Sequence, residues 1–159
     1  MIQIVPAHTK KLMHAFAVFP FSLYRNHPFW VPPIISSELA SWDKTKNPVF
    51  DHAEADFFLA YKEEQIVGRV ACIVNHTEVN QQGIAKMRFG WFDFIDDYQV
   101  SSALLNHVAE YGRRRGLAFM EGPVGFSNLD KVGVMTSGFD HIGTMITWYN
   151  HPYYADHYL

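Results

Sequence analysis

The sequence predicts an α/β fold, a mixed central β-sheet flanked by helices, with residues 1–159 forming a single domain. Two observations carry this. From Lys86 to Pro123 a strand, a capped amphipathic helix and a second strand follow one another, and a crossover of that kind lays its two strands parallel in one sheet. Ahead of it, two apolar runs flank the polar turn Lys62-Glu-Glu-Gln65, the pattern of an antiparallel hairpin. Parallel and antiparallel pairing together make the sheet mixed.

In chain order, Ile2-Gln-Ile-Val5 alternates and opens the sheet. Thr9 caps a helix over Lys10–Phe19 that turns Leu12, Phe16 and Phe19 to one face. Pro20 is expected to kink it, with a further turn over Ser22–Arg25. His27-Pro-Phe-Trp-Val-Pro-Pro33 has too many prolines for a helix and reads as an extended connector. Ser36 or Ser37 starts a short helix through Ser41, and Asn47-Pro48 marks a turn. Ala55–Lys62 and Gln65–Asn75 are the hairpin strands. In the second of these Val67, Ala71 and Ile73 are expected to share a face. Cys72 and Val74 keep the other face apolar, so this strand is central and covered on both sides. Asn75–Gly83 is polar and reads as a loop.

The crossover follows. Lys86–Phe94 is aromatic and roughly alternating, which suits a strand. Asp96 and Asp97 stand where a helix needs side-chain oxygens for its free N–H groups. Val100, Leu104, Val108 and Tyr111 mark its buried face. Arg113, Arg114 and Arg115 suit the negative end of its dipole, and Gly116 provides a left-handed stop. Leu117–Met120 is a short buried strand ended by Gly122-Pro123. Residues 122–143 are loop-rich, with one helical turn expected near Leu129. Thr144–Tyr149 reads as another strand, and Asn150 as the cap of a helix with Pro152 in its first turn.

Composition narrows the function. Thirteen Phe, eight Tyr and four Trp predict a core or cleft rich in rings. A net charge of −3 with scattered basic residues argues against nucleic acid. Cys72 stands alone, which excludes an internal disulfide and fits a reducing, cytoplasmic setting. Leu12–Leu23 is apolar but has no small-residue cleavage site and is interrupted by His14 and Pro20. No run is long enough to span a bilayer, so no membrane partner is expected.

Several segments carry a resemblance: Phe19-Pro-Phe-Ser-Leu-Tyr24, Trp30-Val-Pro-Pro33, Lys46-Asn-Pro-Val-Phe50, Val67-Gly-Arg-Val70, Gly122-Pro-Val-Gly-Phe-Ser-Asn128, Ser137-Gly-Phe139 and Tyr149-Asn-His-Pro-Tyr-Tyr154. In that order, on those elements, the sequence resembles a bacterial branch of the GCN5-related N-acetyltransferase (GNAT) superfamily. The resemblance implies a sheet splayed open beside its fourth and fifth strands to admit acetyl-CoA or another acyl-CoA, with contacts at Phe92 and Phe94. It implies acyl transfer from the thioester to an amine acceptor. Two more strands are implied after the last helix, so the chain is a piece of a longer protein or a partner chain, as in a homodimer, completes the sheet.

The residues diverge from that family at one turn. Its pyrophosphate loop, of form Q/R-x-x-G-x-G/A, lets backbone N–H groups close on phosphate. Phe94-Ile-Asp-Asp-Tyr98 has no glycine and two carboxylates. At ~4 Å and an effective dielectric near 20, each like-charge repulsion is about 4 kcal/mol. The alternative is therefore a ligand-binding or protein-interaction module that keeps the fold without binding CoA in the usual way.

For catalysis, Glu121 at the end of the fifth strand is the candidate base, with Asp93 second. Tyr154 and Tyr158 lie where the superfamily's acid acts. A salt-bridged strand end and packed rings are the alternatives. Ser127 and Asn128, beside Phe126, are candidate small-ligand contacts because they follow the carboxyl end of a parallel strand. No metal is expected: His151 and His157 stand six apart, off one helical face. Ser127 lacks a G-x-S-x-G surround, and Gly122-Pro-Val-Gly125 lacks the Lys-Ser/Thr of a phosphate loop.

Overall fold

A sheet of five strands runs through the computed structural model, which describes residues 1–143 and 147–159. Its strands lie side by side in chain order: β1 (Ile2–Pro6), β2 (Ala53–Lys62), β3 (Gln65–Asn75), β4 (Lys86–Phe94) and β5 (Phe119–Glu121). The first four pair antiparallel, and β4 pairs parallel with β5. Helix α3 (Tyr98–Arg113) covers one face, and helices α1 (Lys10–Leu23) and α2 (Ile35–Ser41) the other. β3 is central and supplies both cores. Val70, Cys72 and Val74 face Val100, Leu104 and Val108 of α3, while Ala71 and Ile73 join Phe16 of α1 and Trp42.

The helix ends follow the side-chain chemistry. Thr9 accepts from Leu12 N at 3.2 Å and Asp97 from Gln99 N at 2.9 Å, each satisfying a free N–H of a first turn. Gly116, with φ +70°, turns the chain out of α3. At the β2–β3 turn it is Glu63 that takes positive φ.

Several expectations change. Helix α1 does not stop near Phe19 but runs through Pro20 to Leu23. Proline cannot donate to the carbonyl one turn back, that of Phe16. Arg69 Nη1 donates to that oxygen instead, at 2.8 Å. Val67 lies on the α3 face, away from Ala71 and Ile73. The cause is a bulge: Gly68 pairs with Ala60 but Ile66 with Tyr61, so Val67 is an extra residue and alternation shifts across it. The 75–83 loop contains a π-helical turn, Thr77–Gln81, started by the Asn75 side chain. No helical turn forms at Leu129, where an isolated bridge joins Val124 to Val132. β5 is exposed rather than buried, because it lies at the sheet edge.

Asn150 does not cap the final segment. Its amide holds Met135 instead, accepting from Met135 N at 2.7 Å and donating to Met135 O at 3.2 Å, and Pro152–Tyr158 forms a 3-10 helix. Residues 144–146 of the strand expected at Thr144–Tyr149 lie outside the described residues, and 147–149 is not strand. Among the described residues no helix is long and apolar enough to cross a membrane.

Candidate functional site

The geometry of the site begins with a second bulge, on β4. Asp93 pairs with Arg69 and Gly90 with Ala71, leaving Trp91 and Phe92 against Val70 alone. Trp91 takes a left-handed φ of +45°. Counted from Phe89, which faces α3, unbroken alternation would turn Asp93 toward α3 as well. The extra residue reverses this and aims Asp93 at the α1 face, alongside Arg69.

There Asp93 is nearly inaccessible and fully engaged. Arg69 donates to its Oδ2 from Nε at 2.8 Å and approaches the same oxygen with Nη2 at 2.7 Å. The Oδ1 atom accepts from the hydroxyls of Tyr24 (3.3 Å) and Tyr154 (3.0 Å), which are themselves 3.1 Å apart. Burial, and then the nearby Asp93 charge, raise the pKa of both phenols well above its usual value. Both remain protonated at neutral pH and act as donors.

A cavity of about 530 Å³ opens onto this cluster. Asp93, Arg69 and Tyr24 lie at its wall, and Phe29, Trp30 and the 31–34 connector give it an apolar side. Tyr24 is sandwiched between Trp30 (5.2 Å) and His151 (4.6 Å), both stacked on its ring. A second cavity of about 430 Å³ reaches toward Phe126, Ser127 and Leu129. The two share Glu38, Lys131 and Trp148, so they form adjoining parts of one trough. Val31, Ile34 and Leu129 are exposed along its rim.

By contrast, the opening beyond β5 is nearly filled. Phe92, Asp93, Pro123, Val134 and Tyr154 surround only about 10 Å³ there, at the lower limit for a single water. The edge of β4 is occupied too: Tyr153 donates to Phe94 O at 2.6 Å, and Tyr154 accepts from Phe94 N at 3.3 Å. The two carboxylates of the turn have partners. Asp97 pairs with Lys62 at 2.8 Å, and Asp96 with His157 Nε2 at 3.1 Å.

The structure thus brings together some of the candidates and separates others. Tyr154 belongs to the Asp93 cluster, one hydroxyl behind the cavity wall. Tyr158 packs on Phe92, its buried hydroxyl without a partner among the described residues. Glu121 lies exposed on β5, lines none of these cavities, and pairs with Lys86 at 2.6 Å. That bond is the chief cause of the raised Lys86 pKa. Phe94 is wholly buried in the α3 core, and Phe92 lines the small opening. Ser127 lines the second cavity, whereas Asn128 is exposed beside it. His151 and His157 separate, one toward Leu23 O and the other toward Ser101 and Asp96. Sequence reading missed Tyr24, Arg69 and Glu38. The available signal was Arg69 itself, a charge in the middle of the most apolar strand.

No protein-family profile matches the chain. It is 32% identical over 148 residues to protein YghO of Escherichia coli, a match covering 93% of this chain and 38% of that protein. It is 28% identical over 155 residues to a bacterial ceramide synthase of Caulobacter vibrioides, covering 97% and 40%. The chain therefore spans about two fifths of the length of the curated relatives it matches. Among solved structures it is similar to a tandem GNAT protein from the clavulanic acid biosynthesis pathway. The TM-score is 0.54 at 14% identity, over 72% of this chain and 34% of that one. It is also similar to a candidate acetyl transferase from Pyrococcus furiosus, with TM-score 0.50 at 16% identity over 80% and 85%. Strand order, the parallel β4–β5 pair and these likenesses agree: the chain has the GNAT fold.

Proposed function

We propose that the chain forms the acyl-transferring part of an N-acyltransferase that moves an acyl group from a CoA thioester to an amine carried on a long apolar body. The observation that carries this is the 530 Å³ aromatic cavity ending on the Tyr24 hydroxyl and the buried Asp93 carboxylate, with Tyr154 behind them, beside β4 of a GNAT fold. The similarity to a ceramide synthase supports an amide product, since ceramide is itself an amide. The exposed apolar rim suits an acceptor with a hydrocarbon chain.

In this reading the amine nitrogen attacks the thioester carbonyl. The C–N bond forms, the C–S bond breaks, and sulfur leaves with the bonding pair. One proton passes from the attacking nitrogen through the Tyr24 hydroxyl, at the cavity wall, to the departing sulfur, so that the buried phenol stays neutral throughout. Tyr154 and Asp93 hold the Tyr24 hydroxyl in place. Glu121 keeps its ion pair with Lys86 and has no role in this step.

The second reading, a binding module without CoA, is favoured by the glycine-free β4–α3 turn, where Asp97 already takes a free helix N–H, and by the occupied β4 edge. Palmitoyl-CoA mixed with a long-chain amine separates the two. Thiol release matched by amide, seen by mass spectrometry and lost in Tyr24→Phe, is the expected result. Neither thiol nor amide above the enzyme-free rate would overturn the transferase reading.

A further inference from the structure

Glu38 stands on the wall common to both cavities, in the middle of α2. Trp91 Nε1 donates to its Oε2 at 3.0 Å, and Trp91 is the residue that the β4 bulge holds at positive φ. The carboxylate is therefore aimed by the same irregularity that aims Asp93. The other charges of the trough are occupied. Arg69 and Asp93 hold each other, Asp130 accepts from Ser127 N at 2.8 Å, and Lys131 Nζ lies 4.7 Å above the Trp148 ring. Glu38 makes no ion pair, and its Oε1 has no hydrogen-bond partner, among the described residues. A half-buried carboxylate without a cation, flanked by rings and opening onto an apolar cavity, is chemistry for an ammonium group on a hydrocarbon body.

We infer that Glu38 receives the acceptor amine. It binds the ammonium form as counter-ion and takes one proton, R–NH3⁺ and carboxylate giving R–NH2 and carboxylic acid. The free amine then has the lone pair that attack on an acyl-CoA thioester requires, and the apolar body lies against Trp30 and the 31–34 connector. This deepens the transferase reading and rests on it for the acyl step, whereas the ammonium site itself does not need CoA.

The test is therefore binding without CoA. Decylamine and decanol are titrated separately into the chain, followed by calorimetry and tryptophan fluorescence, for the wild type, Glu38→Gln and Glu38→Asp. Gln keeps an acceptor for Trp91 and removes the charge. The wild type is expected to favour decylamine over decanol by about tenfold or more. Glu38→Gln should bind both alike, and Glu38→Asp should retain the preference. Equal affinities in the wild type, no binding of either probe, or an amine preference surviving in Glu38→Gln would each overturn the site, and the wild-type comparison decides even if a variant fails to fold. A normal amine preference in a chain that forms no amide would remove the transferase reading and leave Glu38 as an ammonium site.

Discussion

Asp93 ties together residues far apart in the chain: Tyr24 sixty-nine positions before it, Tyr154 sixty-one after, and Arg69 on the neighbouring strand. As one of two candidate carboxylates, and with Tyr154 among the candidate tyrosines, part of this cluster was legible from residue type alone. Its partners were not, because their meeting depends on a bulge and on how α1 ends. Removing one member should expose the cost of burying the other. Asp93→Asn leaves Arg69 with an unpaired buried charge and is expected to lower stability by about 3–5 kcal/mol. Arg69→Met in the same background removes the unpaired charge but also strips the Phe16 carbonyl of its donor, and should recover only part of that loss. Denaturant midpoints of the two variants check it, and an Asp93→Asn protein as stable as the wild type would show that the pair is not holding the site.

The strands and the long helix of the crossover follow from periodicity and caps, and α3 begins and ends where Asp97 and Gly116 put it. The extra residues in β3 and β4 leave no such trace, since a bulge changes the facing of side chains without changing composition. Pro20 misled for a related reason. The helix survives it because a distant arginine takes the free carbonyl of Phe16, a tertiary bond that local sequence does not encode. Glycines show where the elements press closest. A Cβ at Gly90 would collide with the backbone oxygen of Val124, whereas one at Gly68 first meets the movable Leu104 Cδ1 at 2.8 Å. Gly90→Ala is therefore expected to destabilise by about 1–3 kcal/mol, and by more than Gly68→Ala. Thermal melts of the two variants measure the difference, and the reverse order would mean that residues 122–125 do not lie against β4 as described.

For the molecule as a whole, the order of elements was enough to expect the GNAT fold, and both solved structures agree with it. The trough was less legible. It is built from the α1–α2 connector, the bulged β4 and residues near Lys131 and Trp148, segments with no shared periodicity to betray that they converge. It also lies on the α1 side of the sheet, while the opening beside β5 that the resemblance implied holds almost no free space. Acyl transfer requires that this chain, with its aspartate-bearing turn, still take an acyl-CoA. Calorimetric titration with palmitoyl-CoA, and with free CoA as control, tests that most directly. Saturable micromolar binding of the thioester, weakened in Tyr24→Phe, is the predicted result. Absence of heat and of any thermal shift at millimolar ligand would contradict it and leave the binding-module reading in its place.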